Sequence, residues 1–115
     1  MSTLASDVIA QARTETNDST RWNDATMLVW LNRALAHMLF HRQDLRTQAD
    51  GSLLAYPPTT LALIDDWPLD VEFTTAATYY IAFNYFRSDS ENVKMIERSE
   101  DFRKLFSDLM GFDVK

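Results

Sequence analysis

The stretch FTTAATYYIAFNYF, residues 73–86, contains no charged residue and holds six of the chain's fourteen aromatic residues. On a wheel of about 100° per residue those rings point in every direction. A helix that is apolar all round has to be wrapped by other elements. At about 1.5 Å per residue this one is also too short to cross a bilayer. The chain is therefore expected to be built round a buried central helix over about residues 69–87. Tyr79, Tyr80 and Tyr85 could line a ligand pocket, but core and interface packing is the simpler use, because Tyr buries its ring while its hydroxyl finds a partner.

Three further helices are predicted. Leu4, Val8, Ile9 and Ala12 have helical spacing behind a capping Ser2 or Thr3, giving a helix over about residues 4–15. In RWNDATMLVWLNRALAHMLF, residues 21–40, Asn23 can cap and Asp24 places negative charge in the first turn. No Gly or Pro follows between Thr26 and Gln43, so the helix is expected over about residues 24–43. Its core face reads Met27, Leu28, Trp30, Leu31, Ala34, Leu35, Met38 and Leu39. Ala25, Val29, Ala36 and Phe40 form a second apolar stripe on roughly the opposite side, with Asn32, Arg33 and His37 on the flanks between. A small monomer has no second core, so this stripe either packs under another segment of the same chain or faces a neighbouring subunit. The last helix starts near Ser90, with Glu91 in its first turn, and stops at Gly111. Its expected inner face is Met95, Phe102, Leu105, Phe106, Leu109 and Met110. Its expected solvated face is Lys94, Glu97, Asp101, Lys104 and Asp108, with Glu100 and Lys104 as an i,i+4 ion pair.

Residues 44–70 are the irregular part. ADGS reads as a turn, SLLAY as a short strand, YPPTT as a break and LALI as a brief apolar run, so a loop or short hairpin is expected. Asp65, Asp66, Asp70 and Glu72 suit the onset of the central helix, and the spacing and glycine of a calcium loop are missing. The fold class is thus all-α: a single four-helix bundle-like domain over residues 1–115, with a central aromatic helix and one irregular loop between the second and third helices.

Composition narrows the function. Two Gly cannot build a phosphate-cradling loop, and the absence of Cys removes thiolate metal sites, disulfides and a Cys nucleophile. His37 and His41 are spaced i,i+4, as two metal ligands could be. The glutamate of HExxH is absent, however, and the chain has no other His. No GxSxG signature occurs and no general acid is paired with a base, so neither catalysis nor a cofactor or metal is expected. Residues 1–50 carry five Arg against six acids, and residues 51–115 carry six Arg or Lys against eleven acids. That distribution lacks the basic footprint of a nucleic-acid binder. No run reaches the roughly 18 apolar residues of a membrane span and the N-terminus lacks a signal-peptide pattern, so a soluble protein is expected.

RWNDATMLVWLNRALAHML resembles the opening of the head-to-tail connector (adaptor) proteins of tailed bacteriophages. Their first long helix often begins Arg-Trp-x-Asp and continues into Trp-Leu-Asn-x-Ala. Arg21, Trp22, Asp24, Leu28, Trp30, Leu31, Asn32 and Ala34 occupy those positions. Residues 67–111 are similar to the family's ending, with a Pro-led aromatic helix, a short Asp/Ser turn and a last helix closing in Phe-x-x-Leu-Met-Gly. The resemblance implies a non-catalytic virion protein of the phage neck, present in the host cytoplasm during assembly. Such a subunit forms a homo-oligomeric ring, commonly of twelve copies, that joins the portal protein to a tail-side connector or tail completion protein. Ala25, Val29, Ala36 and Phe40 would then face neighbouring subunits. The segment between the second and third helices is shorter than the β-rich insertion of many relatives, and only FDVK follows Gly111. Gly51, Leu53, Leu54 and Tyr56 in the loop and Phe112 and Val114 at the end are accordingly the candidates for portal docking. The alternative is a small acidic helical binding module that regulates a phage or host protein.

Overall fold

The computed structural model describes residues 3–16, 23–47, 51–54, 58, 60–69, 71–88 and 93–112, with the side chains of 93–95 left aside. Among these residues four α-helices occur: α1 (Ala5–Thr16), α2 (Asp24–His41), α3 (Phe73–Arg87) and α4 (Val93–Met110). No strand is present among them, and no helix is long and apolar enough to cross a membrane. The all-α, bundle-like expectation holds.

The uncharged stretch behaves as its composition dictates. α3 is the axis of the molecule: it touches α1, α2 and α4, and buries Thr74, Ala76, Ala77, Thr78 and every residue from Tyr80 to Phe86. Polar atoms within it are matched locally. The Thr78 hydroxyl donates to Gln11 Oε1 on α1, and Asn84 Nδ2 donates to the Tyr80 carbonyl. Phe86 stacks on Phe102 of α4 at 5.7 Å between centroids, and Tyr80 meets Phe106 at 5.4 Å. Burying such rings supplies most of the favourable free energy of a domain this size.

α3 begins later than expected, at Phe73 instead of near residue 69. The reason lies upstream. Trp67 is buried, its backbone N–H donates to the Thr3 carbonyl, and Asp66 bridges Leu4, so this segment is extended and tied to the N-terminus of α1. The acids there do not charge the first turn of α3, which contains none. Asp65 closes its own turn by accepting from the Ala62 N–H, and Asp70 lies outside the described residues. α1 in turn is capped by this loop: Ala5 N–H donates to the Asp65 carbonyl and Ser6 N–H to the Leu63 carbonyl, while Asp7 accepts from the Leu4 N–H.

α2 starts at the expected residue, with Asn23 Oδ1 accepting from the Thr26 N–H at 2.8 Å. It ends two residues early, at His41, and a 3₁₀ turn over Gln43–Arg46 swings Leu45 back against the core. Beyond it the SLLAY segment makes one antiparallel bridge, Thr47 with Leu53, supported by hydrogen bonds in both directions between Arg46 and Leu54. Gly51 takes the positive φ of 88° that this reversal requires. The hairpin is therefore rudimentary.

α4 departs from its expected phase. Ser99, Phe102, Phe106 and Met110 face the core, whereas Leu105 and Leu109 are 43% and 50% exposed. The surface of α3 sets that phase: the Ser99 hydroxyl donates to the Phe83 carbonyl at 3.0 Å in the buried seam, and the Phe86 and Tyr80 rings receive Phe102 and Phe106. Glu100 pairs with Arg103 at 2.9 Å, not with Lys104 as expected. Gly111, at φ 81°, ends the helix as read. The side chain of Met95 and the proposed cap at Ser90 lie outside the described residues.

Candidate functional site

The sequence of α2 carries two apolar faces. The inner one is fully used: Met27, Trp30, Leu31, Ala34, Leu35, Met38 and Leu39 are buried and Leu28 packs partly against them. On the outer side Val29 is 49% and Phe40 57% exposed, Ala25 is exposed and Ala36 is half-buried. The loop after the rudimentary hairpin runs alongside this face without covering it. Asn32 fixes its position, accepting from the Leu61 N–H at 2.7 Å and donating to the Leu61 carbonyl at 3.2 Å. Between helix and loop lies an open groove of about 340 Å³, lined by Val29, Asn32, Arg33, Ala36, Pro58 and Thr60. A water molecule takes about 30 Å³, so the groove has room for side chains from another element.

The residues of the Arg-Trp-x-Asp…Trp-Leu-Asn string separate into distinct jobs. Asp24 pairs with Arg13 at 2.6 Å and ties the start of α2 to the end of α1. Trp30, Leu31 and Ala34 are core, Leu28 is its margin, and Asn32 holds the loop. Arg21 and Trp22 lie outside the described residues. The loop-holding role of Asn32 is not legible in the sequence, where the residue stands as a polar flank and as a position of the family motif. A helix-interior Asn between two apolar faces is the signal that could have found it, since such a residue usually bonds something beyond its own turn.

At the C-terminal end of α2 the rings of Phe40, His41 and Phe112 form a continuous row: Phe40 meets His41 edge-on at 5.0 Å, and His41 stacks on Phe112 at 4.3 Å. Phe112 also meets Phe106 at 5.6 Å. Of the portal-docking candidates, Phe112 is thus folded against its own chain, Gly51 and Leu53 are exposed, Leu54 is half-buried, and Tyr56 and Val114 lie outside the described residues. His37 sits 6.3 Å from His41, ring over ring, and 5.6 Å from Tyr80. Burial, with the neighbouring His41 and Arg33 adding repulsion, holds the His37 imidazole below its ordinary value of 6.5. Both features oppose a charged imidazole and favour ring packing. Among the described residues no three His, Cys, Asp or Glu converge on a common point. Tyr79, Tyr80 and Tyr85 are spent on contacts with Phe102, Phe106 and Phe86, and burial pushes the Tyr80 hydroxyl above its ordinary value.

No family model matches the chain, and neither does any curated protein or solved structure.

Proposed function

We propose that this chain is a non-catalytic structural subunit of a phage neck, assembling with copies of itself into a ring that joins the portal to the tail. The observation that carries the reading is the outer face of α2. Val29 and Phe40 are about half exposed on a helix whose opposite face is already filled, and the groove beside Val29 is open. Exposed apolar surface next to a concave site is the ordinary mark of a contact with another protein. The sequence resemblance supplies the kind of contact: a ring in which each subunit presents this face to its neighbour. Among the described residues, Gly51 and Leu53 are the portal-facing candidates that are exposed.

The test is an image of virions whose genome lacks this gene. Filled heads without tails are the expected result, because packaging precedes tail attachment in such a scheme. Normal tailed particles would overturn the reading. A strictly monomeric mass, alone and with portal present, would favour instead the acidic helical module that regulates another protein.

A further inference from the structure

The outer face of α2 is not complementary to itself. From residue 25 to 43 its ionisable groups are Arg33, His37, His41 and Arg42, with no acid among them, so a two-fold contact of this face with its own copy would bring like charges together. The structure holds a better counterpart on α4. Leu105 and Leu109, one helical turn apart, are 43% and 50% exposed, a consequence of the phase that Phe102, Phe106 and Met110 impose. Asp101 precedes Leu105 by four residues and Asp108 follows it by three, so both carboxylates border the leucine pair; both residues are exposed. Neither is ion-paired among the described residues, and the Arg33 guanidinium has no carboxylate partner among them either. Of the basic residues near this surface, Arg98 lies over the Phe86 ring at 4.7 Å and Arg103 bonds Glu100, while the exposed Lys104 lies on the far side of the two aspartates from the leucine pair.

We propose that the α2 face of one copy receives the α4 face of the next, with Leu105 and Leu109 entering the groove beside Val29 and Ala36 and with Arg33 meeting Asp101 and Asp108. This rests on the ring reading above and names the surface that completes it. The two patches are different surfaces of one subunit, and the contact is heterologous when each copy offers them to two different neighbours. A heterologous contact repeats from copy to copy and closes into a ring when the rotation permits.

The test uses two double variants of the full chain, Val29→Glu with Phe40→Glu, and Leu105→Glu with Leu109→Glu. Circular dichroism establishes that each is folded, and light scattering gives its mass over a concentration series. Each alone is expected to be monomeric. Mixed in equal amounts, they should form a one-to-one heterodimer and nothing larger, because each supplies the face that the other has lost. A leucine variant that assembles like the wild type, or a mixture that stays monomeric while the wild type assembles, overturns the α4 assignment and leaves the ring reading standing. A wild type that is monomeric up to its solubility limit, alone and with portal present, overturns both. Should the leucine variant unfold, Asp101→Arg with Asp108→Arg tests the same contact through exposed positions. That variant and Arg33→Glu should each raise the concentration of half-assembly about tenfold or more, and the three changes combined in one chain should restore it. Failure of the combination to restore assembly overturns the pairing.

Discussion

Trp30 and His37 lie on the same helix and are held by opposite logic. Trp30 is 6% exposed on the inner face of α2, where its value is the apolar area that it removes from water. Trp30→Ala should cost about 3–5 kcal/mol in denaturant unfolding. A loss under about 1 kcal/mol would place the ring outside the core, since surface changes usually stay within about 0.5 kcal/mol. His37 is constrained by charge. Its pKa is lowered in the folded state by burial first, then by His41 and Arg33, so the unfolded chain takes up the proton more readily. Stability is therefore full above the ordinary imidazole value of 6.5 and is lost as the pH falls through that value toward the lowered one. Urea midpoints at about pH 7.5 and about pH 5.5 should differ in the wild type, and His37→Gln should remove part of that difference. An identical pH slope in the variant would show that the imidazole is not the titrating group. A single buried atom stands apart from this economy: Trp67 Nε1 has no acceptor among the described residues, although the ring is almost fully enclosed.

At the scale of elements, the Asn32 bonds to Leu61 are what set the loop beside α2 and thereby shape the groove. Asn32→Ala leaves both the N–H and the carbonyl of Leu61 without their partner and should cost about 1–3 kcal/mol, with faster amide exchange at Leu61. Asn32→Asp keeps the acceptor and should preserve protection of that amide. Unchanged exchange in the alanine variant would mean that the loop is held elsewhere. The elements that sequence patterning located well are those whose signals are local. The start of α2 follows from the bond of Asn23 to Thr26, its core stripe from the spacing of Met27 to Leu39, and the end of α4 from Gly111. Distant contacts decided the rest. The late start of α3 depends on Trp67 bonding Thr3, more than sixty residues away in the chain, and on Asp66 bridging Leu4. The phase of α4 depends on the Phe83 carbonyl and the Phe86 ring of a different helix. Both leucines that point outward look like core residues to any periodicity argument, because a helix with more apolar positions than one seam can use does not say which of them lose. The candidate site was legible in the same divided way: Ala25, Val29, Ala36 and Phe40 could be read as a second stripe, but the loop alongside them could not, since Asn32 and Leu61 meet only in the folded chain.

The whole molecule measures about 46 × 28 × 21 Å and is a sheath of three helices round one aromatic axis, with apolar residues left exposed on the outer faces of α2 and α4 and, singly, at Leu53, Ile64 and Val71 in the connecting segments. A chain whose core is complete without those residues has no folding reason to keep them exposed, and the proposed assembly contact would give one. The central claim is that the outer face of α2 is such a contact. It is tested most directly by the Val29→Glu, Phe40→Glu variant, with helical circular dichroism and portal-bound mass measured side by side. Unpaired carboxylates in a packed interface cost several kcal/mol per contact, about 3–5 kcal/mol where a charge is left buried without a partner, and in a ring the change is repeated at every interface. The account predicts a normal helical signal with the assembled species lost as a whole. A normal helical signal with normal assembly would contradict it, and a collapsed helical signal would show that the stripe serves the subunit's own fold.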